Sequence, residues 1–328
     1  MKKIVILFLP IAGVLAVLFA PDEAVLAGSN ALDFCIKTII PSLLPFLVFS
    51  SLAVSSGFSD LCARLFGKTM RQLFGVPGEC ATAFVLGLMS GFPIGAKTVA
   101  ELYKDGKCTR SQAESILTFC NGASPAFVIG TVGGILLQDV KAGFLLFAAQ
   151  TAALIITGII FGRRTAYQES NKKTENSFTA KASFLSSVVS AVTASALTVI
   201  YISAFIVFFA VMSEILMHYE IIPSIAKASS LLLSKTGIEI YQSDIEALLC
   251  GFVEFSTGVK KTLGENWGLK QVILTSMILG WSGLSVHCQV AAVTAPCGLS
   301  LKKYICGKAL CSAVSAIITY ALYILFYR

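Results

Sequence analysis

The chain has 328 residues, of which 56% are hydrophobic and 13% are Asp, Glu, Lys or Arg. Its mean hydropathy is +0.81, and a charged fraction about half the usual 25% leaves too little polar surface for a water-soluble globule. The net charge of +7 sits in short patches between apolar runs, a pattern of loops facing the cytoplasm rather than of a nucleic-acid surface.

Met1-Lys2-Lys3 precedes an apolar run from Ile4 to Ala20. Bulky Leu18 and the following Pro21 argue against signal-peptide cleavage, so this is read as an uncleaved first span. Asp22, Glu23 and Asp33, with no basic residue among them, are expected in an external loop. A second span is expected at about 36–56, carrying Pro41 and Pro45, which membrane helices tolerate when neighbours satisfy the freed backbone groups. Over 58–79, Arg64, Lys68 and Arg71 share one helical face between Leu65, Phe66, Leu73 and Phe74, as in a short cytoplasmic interfacial helix.

The next apolar stretch, about 80–103, is interrupted at Ser90-Gly91-Phe92-Pro93-Ile94-Gly95. Each arm of about ten residues gives roughly 15 Å of helix, half a bilayer. Basic residues on both sides, the second set being Lys104, Lys107 and Arg110, place both ends inside, which predicts a re-entrant hairpin with its tip at the midplane. A span over about 112–136 is broken at Asn121-Gly122-Ala123-Ser124-Pro125, and another follows at about 141–161. Arg163, Arg164, Lys172, Lys173 and Lys181 mark a cytoplasmic linker.

The second half repeats the plan: a span near 186–212, an amphipathic stretch 218–245, a hairpin at about 246–263 broken at Glu254-Phe255-Ser256-Thr257-Gly258, a broken span over about 271–295 with Gly280-Trp281-Ser282-Gly283-Leu284-Ser285, and a last span at about 305–326. Lys302, Lys303 and Lys308 are read as marking a cytoplasmic loop. Gly87 to Lys97 aligns with Gly251 to Lys260 with one gap, and Asn121 to Ser124 with Ser282 to Ser285. Charge places the ends of the two hairpins on opposite faces, so the halves form an inverted repeat with breaks at matching positions. Lys260, Lys261 and Lys270 then fall outside, with Glu265 as their only apparent offset. The predicted fold is an all-α polytopic membrane protein of about seven transmembrane helices plus two re-entrant hairpins. Its parts are an anchor over 1–30, a first repeat over 31–162, the linker 163–183 and a second repeat over 184–328.

Broken membrane helices expose backbone groups that must find partners, and they persist where they line a cavity. Half-helix N-termini suit an anion. The candidate substrate residues are therefore Gly91, Phe92, Gly95 and Lys97 at the first tip, Asn121, Gly122 and Ser124 at the first broken span, Glu254, Ser256 and Thr257 at the second tip, and Ser282, Ser285 and Gln289 at the second broken span. Lys97 suits a carboxylate or snorkels to the interface. Glu254 couples a proton or cation, or forms an ion pair with Lys97, Lys260 or Lys261. Trp281 and Phe92 suit an aromatic ring, and His287 is read as a hydrogen-bonded structural residue. The ten Cys include no C-x-x-C pair, and His218 and His287 are far apart, so no metal centre or cofactor is expected. No enzyme signature is present, and the coupling ion, H+ or Na+, is left open.

Ser90-Gly-Phe-Pro-Ile-Gly-Ala-Lys-Thr98, Phe119-Cys-Asn-Gly-Ala-Ser-Pro-Ala-Phe127 and Gly280-Trp-Ser-Gly-Leu-Ser-Val-His287 with Gln289 resemble motifs of the sporulation integral membrane protein YlbJ family of endospore-forming bacteria. That family carries nucleoside-recognition (Gate) domains similar to concentrative nucleoside transporters. The resemblance implies residence in the outer forespore membrane and transport of dipicolinate, an aromatic dicarboxylate, from the mother cell to the forespore. The implied partners are a small anionic substrate and the lipid bilayer, with a homo-oligomer or further sporulation membrane proteins left open. A nucleoside or ion permease, and a non-transporting scaffold for the spore envelope, are the alternatives.

Overall fold

The computed structural model describes residues 2–162, 184–235, 240–262 and 267–327, and all regular elements among them are helical. The linker expected at 163–183 and the charge at Glu265 lie outside the described residues.

The first half opens with α1 (Lys2–Phe19), then α2 (Pro21–Phe34), which continues through a π-helical turn at Cys35–Ile39 into α3 (Ile40–Ser55). The expected external loop around Asp22, Glu23 and Asp33 is thus helical. Pro21 sits in its first turn, where a missing N–H costs nothing, and Asp22 and Glu23 lie at the favourable N-terminal end of the dipole. The amphipathic α4 (Phe58–Phe74) ends at Gly75 in the left-handed conformation, whose N–H donates to the Arg71 carbonyl. The segment then turns by 102° into the first hairpin, so α4 lies across the direction of the hairpin arms, as an interfacial helix must.

The first hairpin is α5 (Ala81–Ser90) and α6 (Ile94–Lys104), separated by three tip residues. The short α7 (Arg110–Ile116) is set by a capping box between Thr109 and Gln112. The chain then unwinds through Asn121 to Ser124 before a π-helical stretch at Ala126–Leu136 and the long α8 (Val140–Gly162).

The second half runs in the same order. It comprises α9 (Phe184–His218), α10 (Ile221–Ser234), hairpin arms α11 (Gln242–Val253) and α12 (Phe255–Thr262), the broken pair α13 (Leu269–Trp281) and α14 (Gly283–Thr294), and α15 (Lys302–Tyr327). Five described helices are long and apolar enough to cross a membrane: Pro21–Ala53, Val140–Gly162, Phe184–His218, Leu269–Cys297 and Lys302–Tyr327. The two other expected spans are α1, of which Pro10–Phe19 counts as a shorter apolar helix, and the α7 to Leu136 segment, which is too broken to count as one helix.

The two hairpins open toward opposite faces. At one end of α8, Gly162 packs on Phe74 beside the foot of the first hairpin. At the other end, Trp267 at the foot of the second hairpin donates from its indole to the Leu137 carbonyl, 2.8 Å away. The 23 residues of α8 span about 34 Å, so the feet are a bilayer apart and the repeat is inverted. Arg110 reaches the Gly298 carbonyl at 2.7 Å, bringing the basic residues around α7 and the start of α15 to one face, the cytoplasmic one by their charge.

The external lysines find neighbours among the described residues. Lys270 pairs with Asp244 at 2.7 Å and Lys261 approaches Glu214 at 4.0 Å. Lys260 lies over the ring of Phe34, 3.6 Å from its centroid. These neighbours offset the excess positive charge that the sequence placed outside.

Candidate binding site at the helix breaks

The first tip and the first unwound segment are locked backbone to backbone. The Phe92 N–H donates to the Gly122 carbonyl at 3.1 Å, and the Ala96 N–H to Asn121 Oδ1 at 2.9 Å. Such proximity needs absent side chains: a Cβ on either Gly87 or Gly95 would overlap the Cys120 carbonyl. Gly91 has φ +80° and faces the Ser124 backbone, a conformation and a distance that together favour glycine.

Asn121 and the residues after it are held from two more directions. Lys308, 1% exposed, donates from Nζ to its carbonyl at 2.9 Å. Gln150 clamps the adjacent Ala123, accepting from its N–H at 3.1 Å and donating to its carbonyl at 3.0 Å. The unwound backbone therefore exchanges its lost helical bonds for side-chain ones. Lys308 is a correction to the sequence reading: it lies inside α15, not in a cytoplasmic loop. Its place after Tyr304-Ile305-Cys306-Gly307, within the bounds of the last expected span, was the available signal.

The second tip is organised by Glu254, which is fully buried. Its Oε2 accepts from Ser256 Oγ at 2.6 Å, from the Thr257 N–H at 2.7 Å and from Thr257 Oγ1 at 2.9 Å. Glu254 thereby caps α12 and occupies the helix N-terminus that the sequence reading offered to an anion. The alternative ion pair with Lys97, Lys260 or Lys261 is not formed among the described residues. Ser256 and Thr257 serve the carboxylate. Its second oxygen, Oε1, has no partner.

At the second broken span Ser282 adopts φ +78° and its hydroxyl returns to the Leu279 carbonyl. Ser285 and Gln289, one turn apart on one face of α14, are buried, and Ser285 Oγ and Gln289 Oε1 lack partners. His287 Nδ1 is 3.1 Å from Tyr304 Oη, and Trp281 stacks on Phe252 with ring centroids 4.8 Å apart. Both aromatic residues are thus engaged by their neighbours.

Both tips and the first unwound segment reach a central cavity of about 30 Å³, joined by Gln289 of α14, whereas Glu254, Ser256, Thr257, Ser282 and Ser285 are not among its walls. Ser90, Gly91, Phe92, Ser124, Phe255 and Gln289 are among its walls. Phe255 makes edge contacts with both Phe92 and Phe127, each at 5.2 Å between centroids, closing the space between the tips. Of the predicted residues, Gly91, Phe92, Ser124 and Gln289 line this cavity. Gly95, Asn121 and Gly122 build the frame behind it. Phe127 and Phe255 were missed because an aromatic in an apolar run carries no signal until its partner is known.

Lys97 is placed elsewhere. It stands one turn beyond Pro93 on α6, half-buried in a separate cavity of about 270 Å³ with Ser50, Ser51, Glu101, Ser195 and Thr198. An apolar groove of about 500 Å³ joins it to Gln289.

Two re-entrant hairpins and two broken helices in inverted halves define a transporter-type membrane fold. Solved structures of the concentrative nucleoside transporter CNTnw share it: an inward-facing, substrate-bound state superposes with a TM-score of 0.55 at 14% identity, covering 95% of this chain and 86% of that one. An outward-facing double variant also gives 0.55 and 14% identity, with 97% and 86% covered.

The chain belongs to the Gate family, described as nucleoside recognition, whose model matches residues 36–205, just over half of its length. It is also 27% identical over 318 residues to the sporulation integral membrane protein YlbJ of Bacillus subtilis (strain 168), covering 90% of this chain and 77% of that protein.

Proposed function

We propose that this protein is a secondary transporter or facilitator for a small organic anion, with dipicolinate as the candidate substrate. The carrying observation is the meeting of both hairpin tips and the first unwound segment, with Gln289 of α14, at one central cavity. Gln289 Oε1 in its wall, and Ser285 Oγ and Glu254 Oε1 elsewhere at the breaks, are buried without partners among the described residues, and a buried polar atom left unpaired costs about 1–3 kcal/mol. Ser285 Oγ can donate to a carboxylate directly, whereas the two acceptor oxygens, Gln289 Oε1 and Glu254 Oε1, recover that cost through a protonated carboxyl group or ordered water arriving with the ligand. The rings of Phe92, Phe127 and Phe255, the first two already in edge contact with the third, offer an aromatic ligand edge-to-face contacts on entering. The similarity to the sporulation integral membrane protein YlbJ supports a role in spore formation, and residence in the outer forespore membrane is part of this proposal.

The test is uptake of radiolabelled dipicolinate into proteoliposomes, with uridine as the control substrate. Saturable dipicolinate uptake that falls in Ser124→Ala and Gln289→Ala, with both variants monodisperse, supports the reading. Uptake unimpaired in both sinks the site assignment.

A nucleoside permease is the second reading, favoured by one observation: the central cavity has no cation in its walls. Uridine uptake without dipicolinate uptake would establish it. The coupling ion is proposed to act through Glu254, and loss of H+ or Na+ dependence in Glu254→Gln is the corresponding check.

A further inference from the structure

Three cavities lie in file along the paired helices α2–α3 and α9. The central one meets Ile39 and Leu43 on the first and Ile202 and Ile206 on the second. The Lys97 cavity meets Leu47 to Ser55 and Ala194 to Thr198, toward the cytoplasmic face. A third cavity, of about 140 Å³, meets Ala27 to Phe34 and Ile206 to Glu214, toward the external face. From Asn30 to Ser51 the helix advances about 30 Å, one hydrocarbon thickness.

The third cavity holds Lys260, from the second arm of the second hairpin. Lys260 is the repeat counterpart of Lys97, which comes from the second arm of the first. The two outer cavities are therefore built alike, each from one hairpin arm with its lysine, the α2–α3 helix and α9. Carboxylates accompany both, Glu101 in the first and Glu214 in the second. Neither pairs with the lysine of its cavity within 4 Å among the described residues: Glu214 is approached instead by Lys261. Lys260 rests on the Phe34 ring, and Lys97 has no ion-pair partner among the described residues.

We propose that Lys97 and Lys260 are matched capture sites for a carboxylate, one at each mouth of a transmembrane path whose middle is closed by Phe92, Phe127 and Phe255. The proposal rests on the organic-anion reading of the function and explains how an anion is served by a central cavity without a cation. A carboxylate drawn into either mouth exchanges part of its hydration for an ammonium held against low-dielectric walls, where the attraction exceeds that in bulk water. The ligand class is a small mono- or dicarboxylate. A charge at each mouth also makes capture from either face symmetric, as the inverted repeat dictates.

The experiment measures the KM for dipicolinate influx in right-side-out and in inverted membrane vesicles, from a host without dipicolinate uptake of its own. Wild type is compared with Lys97→Gln, Lys260→Gln and the two Arg variants. Lys97→Gln should raise the KM about tenfold in inverted vesicles only, and Lys260→Gln about tenfold in right-side-out vesicles only, in keeping with loss of one charge-assisted contact. The Arg variants should keep most of the wild-type KM, which shows that folding is intact and charge is what matters. Saturable uptake with unchanged KM in both Gln variants, or a change on the same face for both, overturns the paired-capture assignment and leaves the transport reading standing. Uptake of uridine but not of dipicolinate by wild type overturns the anion reading and the capture sites with it.

Discussion

Lys308 donates from Nζ to the backbone carbonyl of Asn121 across 2.9 Å, joining the last helix of the second half to the unwound segment of the first. The lysine is fully enclosed, and the carbonyl belongs to the backbone that lost its helical bonds at the break. One side chain thus ties the two repeats at the point where each gives up regular structure.

Replacing Lys308 with Met keeps most of the volume and removes the donor. The Asn121 carbonyl is then buried without its partner, a loss of about 1–3 kcal/mol. The variant should unfold at lower temperature in detergent, followed by the loss of its monodisperse size-exclusion peak on heating. An unchanged midpoint would mean that the contact contributes nothing to stability.

Gly95→Ala should fail to accumulate as folded protein, because the added methyl occupies the space of the Cys120 carbonyl and backbone there cannot retreat. Gly130→Ala is the matched control, since nothing lies within 4 Å of its added carbon. Equal yields of the two variants from membranes would contradict the close approach of tip and unwound segment.

Glu254→Ala removes the acceptor for the Thr257 N–H and for two hydroxyls. Loss of an N-cap costs about 0.5–2 kcal/mol. Hydrogen exchange at α12 should accelerate while exchange at α8 stays as in wild type. Uniform acceleration across the molecule would point to global rather than local destabilisation.

Asp139 lies just before α8, outside the spans. Partial burial would raise its carboxyl, but hydrogen bonds from Tyr327 Oη and from the Ala142 and Lys141 N–H groups outweigh this and hold it below the ordinary carboxylate range. A lowered folded-state value means that the unfolded chain binds the proton first as pH falls. The contribution is complete above about pH 4, the ordinary carboxyl value, and disappears as pH drops through the lower folded value. Asp139→Asn should flatten the thermal stability profile below pH 4. A slope there identical to wild type would remove Asp139 from the acid response.

The breaks were legible because they are local. A Gly-Phe-Pro tip, an Asn-Gly-Ala-Ser run and a Trp-Ser-Gly-Leu-Ser run interrupt apolar helices whatever surrounds them. The amphipathic α4 was equally visible, since its three basic residues fall on one face at helical spacing. The helical start at Pro21 was not, because Asp22 and Glu23 looked like loop charges until the helix dipole they complement was in place.

What the sequence determined by itself is the membrane setting, the inverted order of elements and the positions of the two tips and the two broken spans, all set by apolar length, glycine and proline chemistry, and basic loops. Only the tertiary structure decided which groups meet at those discontinuities. It turned Glu254 onto its own helix, drew Lys308 into the break, and left Lys97 and Lys260 in separate cavities at opposite faces. The reason is physical: a break fixes where backbone bonds are lost, whereas the partner that restores them comes from helices far away in the chain.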